Sequence, residues 1–163
     1  KFADIIKLEK SLQNIARVNY LENPEEMNEI LAIVCGSRAH LQDEAISRRS
    51  LFRTILMRGF HFLVWSVTVT PIKDTQCGFK MFTREAALQC FYNIHVERWA
   101  FDVELLYVAH RFQVTVDEVA VNWTEIEGSK IIPVFSWLQM AVDLFSIWFR
   151  YFIGAWDIVL VKK

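Results

Sequence analysis

The sequence predicts an α/β fold, and three observations carry that expectation. Residues 31–38, LAIVCGSR, are a short apolar run halted by Gly36, the pattern of a buried strand. Residues 114–123, VTVDEVAVNW, are β-branched and alternate in polarity, the pattern of another strand. Between and around these runs lie segments whose apolar residues recur every three or four positions, the spacing of amphipathic helices.

Taken in order, residues 2–15 form an amphipathic helix with Phe2, Ile5, Ile6, Leu8 and Leu12 on one side and Lys and Glu on the other. Residues 19–30 are acidic and contain Asn23-Pro24, a breaker pair, so a loop is expected. The strand 31–38 follows, then a polar loop. Ser50 is placed to cap a long helix over 51–68, ended before Pro71. Residues 74–82, DTQCGFKMF, crowd an acid, an amide, a thiol, a glycine and a lysine between two apolar segments, more polar groups than a plain turn needs. Thr83 caps a short helix, residues 94–99 connect, and 100–112 form a buried helix. The strand 114–123 leads to a loop around Gly128. A long helix over 133–156 closes the chain. In it Gln139, Asp143, Ser146 and Arg150 make a narrow polar stripe beside a broad apolar face of Trp137, Ala141, Leu144, Phe145, Trp148 and Phe152. That pattern suits either a core helix or one lying in a membrane interface, where Trp and Tyr are favoured.

With 163 residues and 53% hydrophobic composition the chain is expected to form a single domain, 1–163, and not a disordered tail. A net charge of −1 gives no bulk electrostatic case for nucleic acid. Cys35, Cys77 and Cys90 form no CxxC pair, and an odd count suits a reducing compartment. The apolar runs 62–72 and 131–142 fall short of the roughly 18–20 residues a membrane span needs. His40, His61, His95 and His110 show no ligand spacing with acids.

Several groups could carry chemistry. Ser37 and Arg38 stand at the carboxyl end of a strand, where open α/β sheets bind ligands. Arg49 and Arg53 share a helix face and suit a phosphate, whereas Arg48 reads as a solvated charge. Gly78 permits a left-handed turn or a close backbone approach. Lys80 is placed to hold an anion, with Asp74 orienting it. Asp102 and Glu104 are two apart on an apolar helix, so they face different ways, and a buried one must meet a cation or a hydroxyl. Ser129 and Lys130 add a hydroxyl and an ammonium in a second small loop.

Five stretches in order, GSRAH, RSLFRTILMRGFHFLVW, DTQCGFKMFTREAA, HVERWAFDVELLYVA and VNWTEIEGSK, closely resemble the dolichyl-phosphate β-glucosyltransferase family, family-2 glycosyltransferases of the GT-A fold. The likeness runs from Lys1 to about Trp156. It implies part of a Rossmann-like GT-A domain, with long aromatic amphipathic helices at the C-terminal side, over 51–68 and 134–152. It implies inverting transfer of glucose from UDP-glucose to dolichyl phosphate, on the cytosolic face of the endoplasmic reticulum membrane, for N-glycan assembly. The implied catalytic residues are Asp102 and Asp74. The implied substrate contacts are Ser37, Arg38, Arg49, Arg53, Gln76, Gly78, Lys80, Glu104, Ser129 and Lys130. An Mg²⁺ or Mn²⁺ ion is implied too, held by an aspartate pair that such enzymes carry just before a segment like KFADI. The metal ligands, the nucleotide-binding half and an N-terminal membrane anchor are therefore expected upstream of Lys1, leaving these residues a C-terminal portion, inactive alone. Related mannose transferases carry a basic residue near Trp123-Thr124, which this chain lacks. Asn122-Trp123-Thr124 is an N-glycosylation sequon that would stay unmodified on a cytosolic face. The other readings are a family-2 transferase with a different donor, such as a mannose donor, acting on a polyprenyl phosphate, and a non-enzymatic module that binds lipid at the interface.

Overall fold

A computed structural model describes residues 3–41, 59, 72–97, 100–122 and 133–161, with backbone alone for 133–138. The described residues form a three-stranded sheet ordered β2-β1-β3. Strand β1 (Ala32–Ser37) is central and buried throughout. It pairs antiparallel with β2 (Lys80–Phe82), Ile33 opposite Phe82 and Cys35 opposite Lys80. On its other edge it pairs parallel with β3 (Thr115–Ala120), from Ala32 opposite Thr115 to Ser37 opposite Ala120.

The period-2 alternation of β1 divides the core into two. Ala32 and Val34 meet Leu8, Leu12 and Ala16 of helix α1 (Ala3–Ala16), together with Cys77 and Val121. Ile33 and Cys35 point the other way, onto Ala86 and Cys90 of α3 (Arg84–Tyr92) and Leu105, Leu106, Val108 and Ala109 of α4 (Phe101–Arg111). A short helix α2 (Pro24–Glu29) and the long α5 (Pro133–Phe152) complete the described elements. All three cysteines are free and buried. Burial pushes the Cys35 and Cys90 thiols up to about 12.

Four expectations are corrected. The stretch read as a loop over 19–30 contains α2, because Pro24 stands in its first turn, where its missing N–H costs nothing, and Glu25 and Glu26 follow at the positive end of the helix dipole. On α1 the covered side is that of Leu8, Leu12 and Ala16, whereas Ile5 and Ile6 are exposed. Two polar residues on the covered side are satisfied across the sheet: Ser11 donates to Asp117, and Asp4 accepts from Lys7 and from the Asn122 N–H. Thr83 occupies the N-cap position of α3, but its hydroxyl donates to the Ile30 carbonyl and accepts from the Ala32 N–H, tying the helix start to the entry of β1. Helix α5 stops at Phe152, not Trp156, and Gly154 just beyond it adopts φ +71, a left-handed turn that suits glycine. The helix expected over 51–68 lies outside the described residues.

Helix α5 presents apolar side chains on two sides. Leu144 and Ile147 are buried, and Leu144 packs with Val103 of α4. On the other side Phe145, Trp148, Phe149 and Phe152 are exposed, Phe152 at 73%. These rings stack in sequence along the helix, Phe145 on Phe149 and Trp148 on Phe152. Beyond α5 the chain runs back along α3, where two side-chain amides imitate a strand edge. Asn93 donates to the Val159 carbonyl and accepts from its N–H. Gln89 does the same for Val161.

Candidate functional site

The carboxyl end of β1 is roofed by the loop over 73–79. The contact is close because Gly36 carries no side chain: its N–H donates to the Phe79 carbonyl at 2.8 Å. A Cβ there would lie 2.9 Å from that oxygen and 3.3 Å from the Cys77 sulfur. Gly78, the glycine expected to supply special backbone freedom, has no positive φ, and a Cβ on it would meet nothing within 4 Å. The close approach belongs to Gly36 instead.

Two ion pairs fix the loop. Just after β1, Arg38 donates from Nε (2.7 Å) and Nη2 (2.9 Å) to both oxygens of Asp74, and its backbone N–H adds a third bond at 2.9 Å. Burial raises the Asp74 carboxyl, but the hydrogen bonds and charge of Arg38, with the charge of Lys80, more than reverse this and hold it below the usual carboxylate range. Glu118 on β3 accepts the backbone N–H groups of Lys73 and Asp74. The second pair joins Lys80 on β2 to Asp102 on α4 at 2.5 Å. Lys80 Nζ also donates to the carbonyls of Thr75 (3.1 Å) and Cys77 (2.7 Å). An ammonium has three N–H groups, and here all three are taken. Lys80 therefore clamps the loop, and in this arrangement it has no donor left for the anion expected of it. Asp102 keeps one oxygen without a partner among the described residues.

Ser37 is buried at the same strand end, its hydroxyl accepting the Ala39 N–H. Gln76 sits between the two clamped carbonyls. Glu104 is elsewhere. It lies on the far side of α4, fully buried, and accepts the backbone N–H groups of His95 and Val96 and the hydroxyl of Tyr151, with His95 Nδ1 at 3.2 Å. Through these bonds Glu104 joins α4 to α5 and the α3–α4 connection, away from the strand end where it was expected to contact substrate. Its charge raises the Tyr151 phenol further beyond the rise from burial. The same corner stacks Trp156 on His95 at 4.5 Å, with the Arg150 guanidinium over the Trp156 ring at 4.8 Å.

The structure thus gathers Ser37, Arg38, Asp74, Gln76, Gly78, Lys80 and Asp102 at one end of the sheet, and separates Glu104 from them. Arg49, Arg53, Ser129 and Lys130 lie outside the described residues. Glu118 was missed by the sequence reading, although strand alternation offered a signal: Asp117 faces α1, so its neighbour faces the other way.

Comparison with known proteins gives the relationship. The human protein named dolichyl-phosphate beta-glucosyltransferase is 57% identical over 163 residues, which is 100% of this chain. The chain is similar along its whole length to this protein. The Drosophila melanogaster protein of that name is 56% identical, again across the whole chain, and the Saccharomyces cerevisiae one 39% identical over 94% of it. The chain spans about half the length of these curated relatives: 48%, 47% and 45%. No family model and no solved structure matches it.

Proposed function

We propose that the protein containing this chain transfers glucose from UDP-glucose to dolichyl phosphate, with inversion, and that these residues form the C-terminal portion of its GT-A domain. The observation that carries the reading is the 57% identity to the human protein of that name across every residue here. The names of these relatives favour glucose over a mannose donor or a purely lipid-binding role.

The site supports the reading in kind. A phosphate monoester has a second pKa of about 6, so dolichyl phosphate is largely dianionic at neutral pH and already nucleophilic. The protein must supply orientation and positive charge more than a strong base. Asp102, held by Lys80 through one oxygen and with no partner for the other among the described residues, is suited to accept a hydrogen bond from a hydroxyl of the glucosyl group. Asp74, matched by Arg38, keeps the loop in register with β1. Since Arg38 and Lys80 are already paired with carboxylates, the grip on the phosphate falls in this reading to Arg49, Arg53, Ser129 and Lys130. Among the described residues no three His, Cys, Asp or Glu side chains converge as a metal site, and both aspartates are engaged by cations. These residues do not fit an Mg²⁺ or Mn²⁺ centre, and in this reading its ligands precede Lys1.

No helix among the described residues is long and apolar enough to cross a membrane. The exposed ring ladder of α5 instead supports placing residues 133–156 in the interface of the endoplasmic reticulum membrane, at the cytosolic face, where the lipid phosphate would be presented. The test is turnover by the full-length protein, with UDP-glucose and GDP-mannose each offered with dolichyl phosphate. Glucolipid should form from UDP-glucose alone, and Asp102→Asn should lower kcat roughly a hundredfold or more with the protein still folded. No glucolipid, or an unchanged rate in the variant, would overturn the reading.

A further inference from the structure

Many polar groups of the loop over 73–79 are matched within the protein. Its backbone N–H groups at Lys73 and Asp74 are taken by Glu118. The Asp74 carboxylate is taken by Arg38, and the Thr75 and Cys77 carbonyls by Lys80. The Phe79 carbonyl is taken by Gly36. One buried side-chain atom remains unmatched. The side-chain nitrogen of Gln76 is buried and has no hydrogen-bond partner, and it is the one such side-chain atom among the described residues.

A buried donor without an acceptor loses its water and gains nothing in return, so folded proteins rarely keep one unless something else fills the gap. The place of Gln76 says what that is. It stands between the two carbonyls that Lys80 clamps, and Lys80 is bonded to Asp102. The loop also closes over the carboxyl end of β1, where sheets of this class bind their ligands. An amide NH₂ can only donate, so its partner must be an acceptor with a free lone pair. Sugar hydroxyls and phosphoryl oxygens both qualify.

We propose that Gln76 is a specificity-determining contact, its side-chain NH₂ donating to an oxygen of a bound substrate, either the glucosyl group or a phosphate. This deepens the glycosyl-transfer reading and rests on it. The cost of leaving this donor unmatched within the protein is then offset when ligand binds.

The experiment is Gln76→Met in the full-length protein, a near-isosteric change that deletes the donor, with Gln76→Glu as a companion that replaces donor by acceptor. Steady-state kinetics are measured with UDP-glucose and dolichyl phosphate varied in turn, and unfolding is followed with and without each ligand. Deleting an unmatched donor should leave Tm unchanged or raise it by about 1–3 °C, while KM for one substrate rises about tenfold. Gln76→Glu should be worse than Gln76→Met. If KM for UDP-glucose rises, the oxygen belongs to the donor; if KM for dolichyl phosphate rises, it belongs to the acceptor. Wild-type kinetics for both substrates in Gln76→Met would overturn the proposal, and so would a clear fall in Tm, which would show that the amide is matched within the folded protein. A wild-type protein without turnover would defeat the glycosyl-transfer reading instead. Gln76 is then judged by whether the variant loses the thermal shift that UDP-glucose or dolichyl phosphate gives the wild type, an unchanged shift overturning the proposal.

Discussion

At the scale of single residues, the site depends on an atom that is missing. Gly36 lets the Phe79 carbonyl come within 2.8 Å of its nitrogen, and a Cβ would press on that oxygen at 2.9 Å and on Val121 at 3.1 Å. The Phe79 carbonyl, and the Cys77 sulfur 3.3 Å from the same Cβ, belong to the loop that carries Asp74 and Gln76. Gly36→Ala should therefore destabilise the full-length protein by about 1–3 kcal/mol, read by denaturant unfolding. The control is Gly78→Ala, where the added methyl meets open space and the change should stay within about 0.5 kcal/mol. The sequence alone assigned the special role to Gly78, since a glycine among polar residues looks like a turn. What singles out Gly36 is a contact between residues far apart in the chain, which local pattern does not carry. The same holds for Lys80 and Glu104. Their charge is visible in the sequence, but their saturation by Thr75, Cys77 and Asp102, and by His95, Val96 and Tyr151, is not.

At the scale of elements, periodicity located α1, α4, β1 and β3 because each has one clear face or is buried on both. It was less informative where one cue has two meanings. Asn23-Pro24 can end a segment or begin one, and here it begins α2. The residues Lys80–Phe82 are too few to show alternation, yet they pair with the centre of β1. The return segment after α5 left no periodic signal at all, because its partner is a pair of side chains and not a strand. That arrangement can be tested. Gln89 on α3 and its C-cap residue Asn93 are four apart and meet Val161 and Val159, two apart in the returning segment. Asn93→Leu deprives Val159 of both bonds, so the amides of Val159 and Val161 should exchange with solvent at least about tenfold faster, while the amides of β1 keep their protection. Equal acceleration across the sheet would show that the segment opens only with the whole fold.

At the scale of the whole molecule, the α/β class and the gathering of the β1 end, the 74–80 stretch and Asp102 were legible from ordered motifs. How α5 divides its apolar residues was not. Leu144 and Phe145 are neighbours on one apolar side in the sequence pattern, yet Leu144 is 3% exposed and Phe145 63%. Which half of a broad apolar face is covered depends on where α4 lies, and Val103 is there to cover Leu144. For the outer half, replacing Phe145, Trp148 and Phe152 together by Ser should weaken flotation of the full-length protein with phosphatidylcholine vesicles by at least about tenfold, with little change in folding. Unaltered flotation would assign that face to another partner.

The burial of all three cysteine sulfurs has a practical side as well. With Cys35, Cys77 and Cys90 each enclosed, and burial raising the Cys35 and Cys90 thiols to about 12, these three cysteines offer an electrophile no exposed thiolate while the fold is closed. Alkylation becomes a stopwatch for opening events: Cys35 times the parting of the central strand, Cys90 the lifting of α3, and the interval between them tells which layer of the fold departs first.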